Sequence, residues 1–162
     1  MKKIMFILGC SSLLALSTSS FLTASAQSTS DQETFENGNF MGAKADQAHY
    51  NVIYQLDSDD PKLIQMTLRN IKNALEDPRL KDKLQVELVA YAGGTAVFRK
   101  DQPYEKELRQ LTEKGVILAQ CLNTLRERKI PKSDLHDFIS FVPTGNGELI
   151  IRQAQGWAIV HP

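Results

Sequence analysis

From Tyr50 to Val160 the chain alternates short β-rich stretches with stretches of helical periodicity, and this alternation leaves it few folds. Tyr50-Asn51-Val52-Ile53-Tyr54-Gln55-Leu56 reads as a strand, rich in β-branched and aromatic residues. Asp57, Asp59 and Asp60 before Pro61 read as helix-capping residues, and Ile64, Leu68, Ile71 and Leu75 lie on one face of a helix that closes before Pro78. Leu84 to Ala92 predicts a second strand whose Gln85 and Glu87 alternate with apolar residues, a pattern that suits a position near the sheet edge. Tyr104, Leu108 and Leu111 mark a second helix stopped at Gly115. Val116 to Ala119 forms a third strand and Leu122 to Arg128 a third helix. Ile139 to Val142, then a helix from Glu148 to Gln155, then Trp157 to Val160 complete the series. Five strands separated by helices predict an α/β fold: a three-layer α/β/α sandwich on an open, mainly parallel five-stranded sheet.

Within that pattern Val116-Ile117-Leu118-Ala119 is the most informative stretch, because an uninterrupted apolar run suits a strand covered on both faces. It leads through Gln120 into Cys121 and then directly into a helix. Cys121 is thereby expected at the carboxyl end of a strand, where open α/β sheets place their crevices and where a following helix offers unpaired N–H groups. Such a field raises the thiolate fraction that thiol chemistry needs. The competing reading is an inert buried cysteine. Asn123 and Thr124 are expected to shape the approach to the sulfur, with the Gly93-Gly94 loop as the opposite wall; a plain loop is the simpler reading of those glycines, since no P-loop lysine accompanies them.

The amino terminus carries Lys2 and Lys3, an apolar stretch from Ile4 to Leu16, and Ala24-Ser25-Ala26. That is the pattern of a cleavable secretory signal over 1–26, and it predicts a periplasmic protein. A lipoprotein signal ending at Cys10 has too few apolar residues before it, and the run is too short to anchor in a membrane. Residues 27–48 are polar, with Phe35, Phe40 and Met41 as the large apolar side chains, and read as a flexible segment ahead of a domain over 49–162. Once Cys10 leaves with the signal, Cys121 has no partner for a disulfide within the subunit. The chain has 19 basic and 19 acidic side chains. That balance gives no electrostatic case for nucleic acid or an anionic membrane surface.

Other chemistry is weakly signalled. His49, His136 and His161 have no metal-ligand spacing, so surface histidines are the expectation, although a Cys121–His136 pair is a possible spatial arrangement. Thr144-Gly145-Asn146-Gly147 could present N–H groups to an anion, with a capped turn as the simpler reading. Trp157 is expected in the core or at a subunit interface. No metal or cofactor is implied.

Several segments taken together resemble a known family. Val52-Ile53-Tyr54-Gln55-Leu56 before Asp59-Asp60-Pro61, the Gly93-Gly94 loop, Cys121-Leu122-Asn123-Thr124-Leu125, and Val142-Pro143-Thr144-Gly145 followed by Glu148-Leu149-Ile150 and Gln153-Ala154-Gln155-Gly156-Trp157 resemble the DsrE/DsrF-like proteins. The resemblance spans Tyr50 to Pro162. It implies a compact α/β sandwich, frequent homo-oligomers and, for the sulfur-relay members, a cysteine that carries a persulfide between a donor and an acceptor protein. Cys121 stands at the position that matches that cysteine. Relay members work in the cytoplasm, so the export signal is a departure from their pattern. Two functions follow: a sulfur carrier or thiol-dependent redox protein, for which sulfur transfer rather than enzymatic turnover is one open reading, or a non-catalytic oligomeric module that binds a small ligand in the same crevice.

Overall fold

A computed structural model describes residues 31–162. The signal reading over 1–26, and with it Cys10, lies outside the described residues. Residues 31–44 belong to a unit separate from Ala45–Pro162, and 31–36 of the polar segment form a short helix rather than irregular chain.

The second unit runs β1 (Tyr50–Leu56), α1 (Pro61–Glu76), β2 (Leu84–Ala90), a 3₁₀ segment (Ala92–Phe98), α2 (Glu105–Glu113), β3 (Ile117–Cys121) and α3 (Leu122–Arg128). A 3₁₀ turn (Lys132–Asp134), β4 (Ser140–Val142), α4 (Gly145–Ala154) and β5 (Ala158–Val160) follow. The local signals explain the boundaries. Asp60 caps α1, its carboxylate accepting from the Lys62 N–H at 2.9 Å, with Pro61 at the first helical position where no N–H is needed. Gly115 and Gly156 take left-handed φ values of 84° directly after α2 and α4, as helix stops require.

All five strands are parallel, in the order β4-β3-β2-β1-β5. The predicted α/β architecture is thus the observed one, but the expected edge position of β2 is not: β2 is the central strand. Its polar Glu87 is 1% exposed and is paired beneath α4, so the alternation that suggested solvent marks a buried ion pair. Arg152 of α4 places Nη2 2.7 Å from the Glu87 carboxylate and Nε 2.9 Å from Glu148, and its guanidinium lies 4.2 Å from the centre of the Trp157 ring.

The chain lays down β1 to β4 in one direction and then returns to place β5 beside β1. Right-handed crossovers therefore put α1, α2 and α3 on one face and α4 on the other. Val52, Tyr54, Leu56, Val86, Leu88 and Leu118 pack with Ile64, Ile71, Leu108 and Leu125 on the first face. Ile53, Val89 and Ala119 pack with Leu149 and Trp157 on the second. Each fully buried aliphatic side chain, such as Ile53, Ile71 or Leu88, contributes about 1.5–3 kcal/mol. The helix predicted from Glu148 begins three residues earlier, at Gly145, because Thr144 caps it: the Thr144 hydroxyl accepts from the Gly147 N–H at 3.0 Å.

Candidate functional site

The split between helices on the two faces opens where β3 and β4 lie side by side, since β3 feeds a helix on the first face and β4 a helix on the second. Crevices form at such switch points, outside the carboxyl ends of the strands. Cys121 is there. It is the last residue of β3 and at the same time the N-cap of α3, with extended backbone angles (φ −68°, ψ 116°). An N-cap side chain normally offers an oxygen to the amides of the first turn. Here the sulfur does so, accepting from the Thr124 N–H at 3.4 Å.

Two elements supply the donors. From α3 come the backbone N–H groups of Asn123 and Thr124 and the Thr124 hydroxyl; from the start of α4 comes the N–H of Gly145. Asn123 N–H also donates to the Pro143 carbonyl at 3.2 Å, which ties the start of α3 to the turn that starts α4. The Thr124 hydroxyl accepts from the Ala92 N–H at 3.0 Å and has its own proton free for the sulfur. Burial pushes the Cys121 thiol up, but the Thr124 hydroxyl and the three N–H groups outweigh it and hold the pKa below the usual thiol value.

The residue is 4% exposed, and the sulfur lies at the floor of a crevice of about 420 Å³. Asn123, Thr124, Glu127 and Arg128 form the α3 wall, Thr144, Gly145 and Asn146 the α4 wall, and Tyr91 and Ala92 the side toward β2. The rim is linked: the Asn123 amide donates to the Glu127 carboxylate at 2.7 Å and accepts from Arg126. Burial first, then the nearby Asp57 and Cys121 charges, raise the Tyr91 phenol above its usual pKa, so it is neutral around pH 7.

Of the residues picked out in the sequence, Cys121, Asn123 and Thr124 come together in this crevice. Gly93 and Gly94 do not line it. They are packed against the end of β1 instead: a Cβ on Gly94 would stand 2.1 Å from the Leu56 carbonyl oxygen, and one on Gly93 2.9 Å from the Asp59 nitrogen. The close approach that the glycines permit is to the protein's own backbone, and Tyr91 and Ala92 take the wall assigned to them. His136 is buried, not at the surface; it stacks on Phe138 at 5.3 Å and is absent from the crevice lining, so no Cys121–His136 pair forms. His161 contacts Asp57 at 3.3 Å where β5 and β1 end. Among the described residues no group of three His, Cys, Asp or Glu side chains converges as a metal site, and no helix is long and apolar enough to cross a membrane. A wider groove of about 740 Å³ between α1 and α2 shares no lining residue with the thiol crevice.

Sequence reasoning missed Tyr91. The signal was available: it follows β2 directly, as Cys121 ends β3 and Thr144 follows β4, so all three meet at one edge of the sheet.

Comparison with known proteins bears on the family and the fold. The sequence model of the DsrE/DsrF-like family matches residues 51–162. The solved structure of a protein of unknown function, MTH1491 from Methanobacterium thermoautotrophicum, is 33% identical with a TM-score of 0.66, over 70% of this chain and 99% of that one. The fold is shared with the ychN protein of E. coli, at 20% identity and a TM-score of 0.52 over 70% of this chain and 99% of that one. It is shared too with a conserved protein of unknown function, BT1422 from Bacteroides thetaiotaomicron, at 12% identity and a TM-score of 0.55 over 69% and 94%. No curated protein matches the chain significantly.

Proposed function

The chain belongs to the DsrE/DsrF-like family, and on that premise we propose that it is a sulfur carrier whose load travels as a persulfide on Cys121. The observation that carries the reading is the convergence of N–H groups from two helix starts on one thiol at the floor of an open crevice. Those donors favour the anionic sulfur needed for attack. In the loading step the Cys121 thiolate attacks the terminal sulfur of a donor persulfide. A new sulfur–sulfur bond forms, the donor's own sulfur–sulfur bond breaks, and the donor leaves as a thiolate with that electron pair. Delivery is the same exchange run toward an acceptor thiolate, and no outside oxidant or reductant is consumed.

Burial of Cys121 restricts attack to molecules that enter the crevice, which suits a thiol that must not be spent on bulk disulfides. Export by the signal at 1–26 to the periplasm, assembly as a homo-oligomer, and a sulfur-donor or sulfur-acceptor protein as partner belong to the same proposal. In the other reading the crevice binds a small ligand and the thiol only fills space.

Intact-protein mass spectrometry after exposure to a low-molecular-weight persulfide separates the two. The carrier gains the mass of one sulfur atom at near-stoichiometric yield, the gain maps to Cys121, and it is absent from Cys121→Ser. A folded protein whose thiol takes up no sulfur refutes the carrier and leaves the ligand-binding module.

A further inference from the structure

The α4 wall of the crevice contains a glycine that no cap or turn requires. Gly145 is the first residue of α4, and its φ is not among the left-handed values, so an L residue could adopt its backbone. Space is what excludes one. A Cβ built on Gly145 would lie 2.6 Å from Tyr91 Cδ1, 3.0 Å from Cγ and 3.1 Å from Cβ. The Tyr91 ring thus occupies the place of the missing side chain, and the first turn of α4 closes onto the end of β2.

This packing has a direction. Gly145 lines the same crevice as Cys121, its N–H is among the groups that hold the thiol pKa down, and among the described residues named in that role it is the backbone donor from outside α3. The Asn123 and Thr124 amides are fixed by the helix Cys121 itself caps, whereas Gly145 is brought across from another strand connection by its fit against Tyr91. A contact between β2 and α4 therefore sets how closely a β3 sulfur is approached.

We infer that Gly145 is a positioning residue for the Cys121 sulfur: the absence of a side chain, matched to the Tyr91 ring, is what lets the α4 amide reach the thiolate. The inference rests on the reading of Cys121 as a reactive thiol. Other groups around the crevice are held constant by its logic. Tyr91, Glu127 and Arg128 are the titratable side chains of the lining, with Asp57 beyond Tyr91, and a methyl group at 145 changes the charge of none of them.

The experiment is a double-mutant cycle read by the pH dependence of iodoacetamide alkylation of the full-length protein, with Gly145→Ala, Tyr91→Ala and the double variant. Gly145→Ala should move the thiol titration upward, slowing alkylation below the thiol pKa about tenfold, as a displacement of one pH unit implies. In the Tyr91→Ala background the ring atoms that collide with the new methyl are gone, leaving the residue-91 Cβ at 3.1 Å. There Gly145→Ala should have little effect, so the double variant titrates like Tyr91→Ala alone. A structural role for Gly145 alone would lower the melting temperature and leave the titration in place. If Gly145→Ala fails to fold, the other side of the same contact decides: a titration moved upward in Tyr91→Ala and restored in Tyr91→Phe, which keeps the ring, supports the inference, and a parent-like titration in Tyr91→Ala overturns it. A folded Gly145→Ala with the parent's titration also overturns it, and the carrier reading then stands. An ordinary thiol titration in the parent protein sinks both the inference and the chemical basis of the carrier.

Discussion

Arg152 on α4 and Glu87 in the middle of β2 are 65 residues apart in sequence, and the guanidinium rests 2.7 Å from a carboxylate that is 1% exposed. Burial raises the Glu87 pKa from its ordinary value, with Arg152 opposing the rise and Glu148 adding to it. A carboxyl whose folded pKa is raised stabilises the fold more at low pH and loses that contribution as pH rises through the folded value. Arg152→Met removes the counter-charge and leaves Glu87 buried alone, so it should destabilise by about 3–5 kcal/mol at pH 7. Urea unfolding at pH 7 and at pH 4 checks this: the deficit should shrink at the lower pH, where Glu87 takes up a proton.

Thr124 has two roles that one substitution separates from the backbone. Thr124→Val keeps the N–H bonded to Cys121 but removes the hydroxyl that helps to lower the thiol's pKa and that accepts from the Ala92 N–H. The thiol titration should move upward, and the unpaired Ala92 donor should cost about 1–3 kcal/mol. Alkylation rate against pH reads the first and thermal unfolding the second.

The lowered thiol pKa is also a statement about stability. A group with a depressed folded pKa contributes stability that is complete above its unfolded value and is lost as pH falls through the folded one. The parent protein should therefore gain stability over Cys121→Ala as pH rises from the lowered value through the ordinary thiol range. Denaturant midpoints of the two proteins, measured across that window, should diverge with pH.

Gly94→Ala should be among the most damaging single-methyl additions in the domain. The new Cβ would stand 2.1 Å from the Leu56 oxygen and 2.5 Å from the Leu56 carbonyl carbon, both backbone atoms that no rotamer change can move. Forced overpacking of this kind costs about 1–3 kcal/mol or more. A fall in melting temperature with no upward displacement of the Cys121 titration is expected, because Gly94 does not line the crevice.

Lys129 closes α3 in the left-handed region at φ 54°, ψ 40°. A side chain there costs about 1–2 kcal/mol, part of which glycine gives back through its freer unfolded chain. Lys129→Gly should be neutral to stabilising by up to about 1 kcal/mol, and the measurement is again the urea midpoint.

The strand and helix series was legible because burial and periodicity coincide. The apolar run ending at Ala119 does lie, from Ile117 on, in a strand covered on both faces, and Ile64, Leu68 and Ile71 do face the core. The place of β2 was not legible, since Glu87 looks like a solvent residue until its partner 65 positions later is known. Cys121 could be placed at a strand end from its neighbours alone. What acts on it could not, because Tyr91 and Gly145 belong to other strand connections and meet it through sheet order. The Gly93-Gly94 pair was correctly read as permitting a close approach, but sequence cannot say whether the approaching atoms belong to a ligand or to the chain, and here they are those of Leu56 to Asp59.

The single reversal of the chain after β4 divides the molecule into parts with unequal freedom to change. The Pro143–Gly145 corner has no slack, since lengthening it would carry an α4 amide off the sulfur. The turn between α1 and β2, from Asp77 to Lys83, enters the opposite end of the parallel sheet and lines no wall of the crevice, so insertions there leave the sulfur's surroundings untouched. Divergent copies of such a chain are thus free to acquire new neighbours around one edge while inheriting the same reactive atom.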